Sequence, residues 1–140
     1  MKYIPKYFVI QEYLPPSLYN LLSQKGRLGS AWELIDDRLL RLDDQLREKF
    51  GRIIINNWHT GGNREWSGLR TPESRYYSPT SQHTFGRASD KLFIDSTTDT
   101  VRNYILKNPD EFPLLTSLEL DVSWLHSDVR NCDRIKTYRP

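Results

Sequence analysis

The chain has 140 residues, room for one domain with a real core. Its formal charge is only +2, from 20 basic and 18 acidic residues scattered among one another, which argues against the massed positive footprint of a nucleic-acid binder. The single cysteine, Cys132, excludes both a disulfide framework and a paired-cysteine zinc site within the chain, so a bound metal must be held by His and Asp.

Met1-Lys2-Tyr3-Ile4-Pro5-Lys6 carries basic residues but is not followed by the apolar stretch of a signal peptide. No segment approaches the roughly 18 apolar residues needed to cross a bilayer. The expectation is a protein made in a cytoplasm that reaches any extracytoplasmic substrate with another protein's help or by cell breakage. Pro15-Pro16-Ser17 opens one or two helical turns over residues 18–22, closed by Gly26 and Gly29. Ser30-Ala31-Trp32-Glu33 has the spacing of a capping box, and Trp32, Ile35, Leu39, Leu42 and Leu46 recur at steps of three and four. This predicts an amphipathic helix to about Gly51, with a candidate break at Asp36-Asp37.

The β-branched run 52–56 predicts a buried strand. Residues 57–81 have no steady period; a loop of that length with Trp58, Trp66, Tyr76 and Tyr77 in it predicts an ordered, substrate-facing segment. A strand over 91–94 and a helix from 96–98 to about Lys107, stopped by Asn108-Pro109, follow. Residues 117–122, 124–129 and 134–138 predict three more strands, antiparallel because their connections are short. The fold class is α+β: one domain over 1–140, helical over 1–51, with a mainly antiparallel sheet holding the chemistry over 52–140.

Within that second part His83 and Asp90 stand seven positions apart, and His126 follows in Trp124-Leu125-His126. Two imidazoles and one carboxylate are what a catalytic zinc takes from protein when its fourth position is kept for water, so metallohydrolase chemistry is the leading expectation. Gly86 and Ala88, lying between, let the backbone turn tightly enough to bring His83 and Asp90 together, while strands carry Asp90 and His126 on rigid elements.

Ser81-x-His83-x-x-Gly86-x-Ala88-x-Asp90 followed by Trp124-x-His126 resembles the zinc D-Ala-D-Ala carboxypeptidase family. That family takes in D-Ala-D-Ala dipeptidases, L-Ala-D-Glu endopeptidases of phage endolysins and, by fold, the hedgehog signalling domain. Ser67-Gly68-Leu69-Arg70 stands where the family has a Ser-Gly-Tyr-Arg element, and Ile-Asn-Asn-Trp before the glycine-rich loop is similar to small phage-encoded members. These motifs cover about the second half of the chain. The resemblance implies Zn2+ held by His83, Asp90 and His126, Arg70 on the scissile carbonyl or its oxyanion, and Ser81 fixing a ligand or the loop through its hydroxyl. The implied partner is the stem peptide of cell-wall peptidoglycan. Access would come as part of a phage virion or after release through a holin.

The chain departs from the family pattern at the general base, because Ser123 stands three residues before the last histidine, where the peptidases carry Glu or Asp. Glu119 and Asp121 are the replacement candidates, sharing the parity of position 123 along a strand. Asp128 is expected either to orient His126 or to serve as the base. Trp124 is read as core or cleft wall, and His59 as a substrate contact or a plain loop residue. The competing expectation is a metal-binding structural protein without catalysis, such as a virion component; a third is a cell-wall binding module built on the aromatic loop.

Overall fold

The computed structural model describes residues 1–140. Pro16 occupies the first position of α1 (Pro16–Gln24), and Gly26 follows it in the left-handed conformation, as the prolines and glycine predict. The next stretch differs from the expected single helix. Leu28–Leu34 forms a 3₁₀ segment, the chain extends at Ile35, and α2 (Asp37–Phe50) starts afresh. Asp36 caps it by accepting from the Arg38 amide at 2.9 Å, whereas the Ser30 hydroxyl donates to the Arg27 carbonyl, so no capping box forms there. A carboxylate at the α2 N-terminus also meets the positive end of the helix dipole, which favours a helix start at the Asp36-Asp37 break. The apolar stripe survives: Ile35, Leu39, Leu42 and Leu46 are buried.

The sheet has five strands, β1 (Ile53–Ile54), β2 (Ala88–Phe93), β3 (Ser117–Glu119), β4 (Leu125–Asp128) and β5 (Lys136–Tyr138), in the order β1-β2-β4-β3-β5. β2 begins earlier than expected, so Asp90 lies inside the strand rather than at its entrance. β1 to β4 pair antiparallel, but β5 runs parallel to β3 on its outer edge, which corrects the expectation of three antiparallel strands. The cause lies in residues 129–135, which cross the end of β3 instead of turning back beside β4. Arg134 ties this crossing down by donating to the carbonyls of Leu115, Pro109 and Phe112. α3 (Thr98–Lys107) is capped by Thr97, which accepts from the Thr100 amide at 3.1 Å.

One hydrophobic cluster draws Tyr13 and Leu14, the inner face of α2, Val101 and Ile105 of α3, and Leu118 and Leu125 of the sheet into a common core. No helix is long and apolar enough to cross a membrane. Along β2 and β4 side chains alternate between two faces. Ser89, Lys91 and Ser127 turn towards Asp43 of α2, which leaves Asp90, His126 and Asp128 on the opposite face.

Two glycines shape the approach to that face. Gly86 adopts φ +67° directly after the 3₁₀ turn Gln82–Phe85, and a Cβ there would collide with the Leu34 carbonyl oxygen. Gly68 packs against the Tyr13 backbone, where a Cβ would also collide, and this close approach fixes its own carbonyl. Gly86→Ala is therefore expected to cost about 2–3 kcal/mol in denaturant unfolding, from left-handed strain and displacement of the Leu34 strap together. A variant as stable as the parent would show that the turn relaxes freely.

Candidate metal centre

Asp90 and His126 are direct register partners across β2 and β4, so the strand pairing itself brings their side chains together on one face. Asp90 Oδ1 lies 2.8 Å from His126 Nδ1 and 3.3 Å from His83 Nε2. The third ligand arrives from the 3₁₀ turn, whose first amides are capped by Ser81: its Oγ accepts from the His83 amide at 3.3 Å. The three ligand atoms lie within 4.8 Å of one another, and all three residues are buried.

Each imidazole is oriented from behind. His83 Nδ1 donates to the Gly68 carbonyl at 2.8 Å, which leaves Nε2 as the nitrogen facing Asp90. His126 Nε2 donates to Asp128 Oδ2 at 2.9 Å, which leaves Nδ1 facing the same oxygen. Asp128 is in turn held by Arg130, Nε to Oδ1 at 2.8 Å. An imidazole whose outer N–H is tied to a carbonyl or carboxylate while its other nitrogen points at a common centre is the usual environment of a metal-ligating histidine. The donor set therefore fits a divalent ion held by His83 Nε2, Asp90 Oδ1 and His126 Nδ1.

The protonation preferences follow from burial and neighbours. Burial pushes His83 below the ordinary imidazole value, keeping it neutral despite Asp90. Burial also works against the charges of Asp90 and His126, but here it is overcome. The protonated His126, donating to its Oδ1, holds Asp90 well below the carboxylate range, and hydrogen bonds to Asp128 and Asp90 raise His126. Without metal, a proton on His126 Nδ1 bridges the ring to Asp90; a cation binding there takes that proton's place.

A cleft of about 500 Å³ opens over these residues. Arg70 lines it, with Nη2 donating to Asp90 Oδ2 at 3.0 Å and Nε donating to the Trp66 carbonyl at 2.8 Å. Glu119, Ser81, Trp66, Tyr76 and Trp124 line it as well. Glu119 is partly buried, and that burial raises its pKa against the pull of the neighbouring His126.

Asp121 does not reach the cleft, so its candidacy as base is corrected. β3 ends at Glu119, and Asp121 adopts φ +61°, which breaks the alternation the argument from parity assumed. Its side chain is 61% exposed and pairs with Arg139. Ser123 borders the same outer hollow as Asp121, and its carbonyl accepts from Thr98 Oγ1. Asp128 is fully buried behind His126, accepting from its Nε2 and pairing with Arg130, and it does not line the cleft. His59 also lies away from the cleft lining: its ring packs edge-on to Trp58, which is itself anchored by Nε1 donating to the Leu14 carbonyl.

Four lining residues were not singled out from sequence: Asn63, Arg64, Glu65 and Tyr138. Arg64 reaches back from the loop to donate to the Ile55 carbonyl at 2.9 Å. Tyr138 sits opposite Glu119 in the β3–β5 register, with its ring 5.9 Å from that of His126. Burial, reinforced by Glu119 and Asp128, raises the Tyr138 phenol, which therefore stays protonated and able to donate.

Comparison with family models, curated proteins and solved structures found no match to the chain. The class the geometry defines is a buried His-Asp-His group able to hold a metal ion at the floor of an open cleft. Apo protein loaded with a divalent metal and then desalted is expected to retain about one ion per chain. His83→Ala and His126→Ala should each release it while remaining folded. Elemental analysis by mass spectrometry provides the check, and full metal retention by both variants would refute the ligand assignment.

Proposed function

We propose that this protein is a zinc-dependent peptidase that hydrolyses a peptide bond in the stem peptide of bacterial peptidoglycan. The observation that carries the reading is the convergence of three pre-oriented ligand atoms with Glu119 and Arg70 in one cleft. The donor set suits zinc, whose catalytic sites combine imidazole and carboxylate ligands with an open position. Zinc, when bound, supplies Lewis acidity and a nucleophile at neutral pH. The stem-peptide substrate follows from the resemblance of the His83, Asp90, His126 and Arg70 motifs to the peptidoglycan peptidases, and so does a phage-encoded role.

Glu119 is the group placed to take a proton. Three carboxylates line the cleft, Glu65, Asp90 and Glu119, and Glu65 comes from the loop rather than the sheet that carries the ligands. Asp90 is committed to both imidazoles and Arg70, while Glu119 stands on the strand beside His126. Its raised pKa keeps a strong enough base to accept a proton and a strong enough acid to return it to a leaving amine. Arg70 is held at two of its nitrogens by Asp90 and Trp66, so its guanidinium is fixed in direction without help from substrate. That pre-orientation suits a donor aimed at oxygen charge developing on a carbonyl. Trp66, Tyr76 and Trp124 give the cleft apolar walls against which a peptide can lie.

A metal-binding structural protein is the second reading, supported by the position of Ser123 outside the cleft. Incubating purified peptidoglycan fragments with the protein, with and without chelator, separates the two by mass spectrometry. The expected result is a chelator-sensitive mass loss from the stem peptide, and intact fragments under all conditions would favour the structural reading.

Glu119→Gln is expected to lower the turnover number by about 10²–10⁴-fold with metal retained, whereas Asp121→Asn leaves it unchanged. In the parent, kcat/KM should fall as pH drops through an apparent pKa above the ordinary glutamate value, because the raised group must be deprotonated to act. A pH profile flat across that range, or a fully active Glu119→Gln, would place the base elsewhere.

A further inference from the structure

The face of β2 and β4 turned away from the cleft carries a second charged cluster, which the proposed chemistry does not use. Lys91 and Asp43 are wholly buried, with Nζ 2.9 Å from Oδ1. Lys91 Nζ also donates to Ser89 Oγ at 2.7 Å and to Ser127 Oγ at 2.5 Å. Asp43 Oδ2 accepts from the Tyr13 hydroxyl at 2.9 Å and from Ser89 Oγ at 3.0 Å. One ammonium thus touches α2, β2 and β4 together.

A buried ion pair is a poor source of stability, since desolvating two charges offsets most of their attraction and apolar replacements are often neutral or better. What such a pair does well is specify position. Ser89 and Ser127 are register partners, and the next pair along is Asp90 with His126. Sliding β2 by one residue against β4 would turn Asp90 into the core and Lys91 into the cleft. Sliding it by two would keep the faces but part Lys91 from Ser127. Either slip strands a buried charge, whereas the apolar neighbours Leu118 and Leu125 tolerate repacking.

We infer that the Lys91–Asp43 pair is a register lock for the metal centre: two positioning residues that act through Ser89 and Ser127 to hold Asp90 Oδ1 against His126 Nδ1. The inference rests on the metal-site reading for its consequence, but its structural half stands on the metal-free protein.

Asp43→Asn/Lys91→Met removes both charges, keeps an acceptor for Tyr13, and leaves the two serine hydroxyls facing each other. The variant is expected to unfold cooperatively near the parent midpoint. Its zinc affinity, titrated against a chromogenic chelator, should fall by about tenfold or more, with an altered ligand-field spectrum of the cobalt(II) form. In the metal-free state the cross-strand NOEs between Asp90 and His126 should weaken.

A folded double variant with unchanged zinc affinity, cobalt spectrum and NOEs would overturn the inference. Should the double variant fail to fold, Ser127→Ala takes its place. It removes one arm of the lock and is expected to weaken zinc binding in a stable protein, and unchanged affinity would again overturn the inference. If the parent itself binds no zinc, the metal reading fails while the NOEs still decide the lock.

Discussion

Antiparallel pairing of β2 with β4 sets Asp90 opposite His126, and the arrangement of the site depends on that register. A carboxylate and an imidazole facing each other on the surface would gain little, because water screens them. Here both are buried, so the attraction is strong and an error of one residue would be costly. His83 is added by different means. A capped 3₁₀ turn, a left-handed Gly86 and the fixed carbonyl of Gly68 deliver its ring to the oxygen that His126 already faces.

The electrostatics of the site are graded outward from Asp90. Its Oδ1 accepts from His126 and faces the unprotonated Nε2 of His83, and its Oδ2 accepts from Arg70, so two donors serve this carboxylate despite its burial. Behind His126 the chain of Asp128 and Arg130 extends the same logic by one more layer. Glu119 lies outside this web of direct hydrogen bonds, and burial gives it a pKa suited to moving a proton. Two carboxylates on the strands that flank β4 thus differ because their surroundings differ: Asp90 is held charged and Glu119 is titratable.

Much of this was legible in the sequence, for identifiable reasons. The histidine and aspartate spacing, the glycine between them and the placement of Asp90 and His126 on strands all follow from local pattern, and the geometry brings the three residues together. Local pattern also placed α1, α3 and the sheet strands. Choosing between Glu119 and Asp121 needed the point at which β3 ends, and strand ends are set by tertiary pairing that periodicity does not encode. Tyr138 was invisible as a cleft residue because its place depends on β5 crossing to the outer edge of β3, a topology that short connections argued against. The two-piece helix around Ile35 was half legible: the Asp36-Asp37 break stood in the sequence, but Ser30 offered a rival cap that the fold does not use.

The most direct test of the account is X-ray diffraction from zinc-soaked crystals, recorded on both sides of the zinc absorption edge. The account predicts a single anomalous peak bounded by His83 Nε2, Asp90 Oδ1 and His126 Nδ1, at ligand distances of about 2.0–2.2 Å. An anomalous map with no peak at that point, or with zinc bound only at other residues, would contradict it.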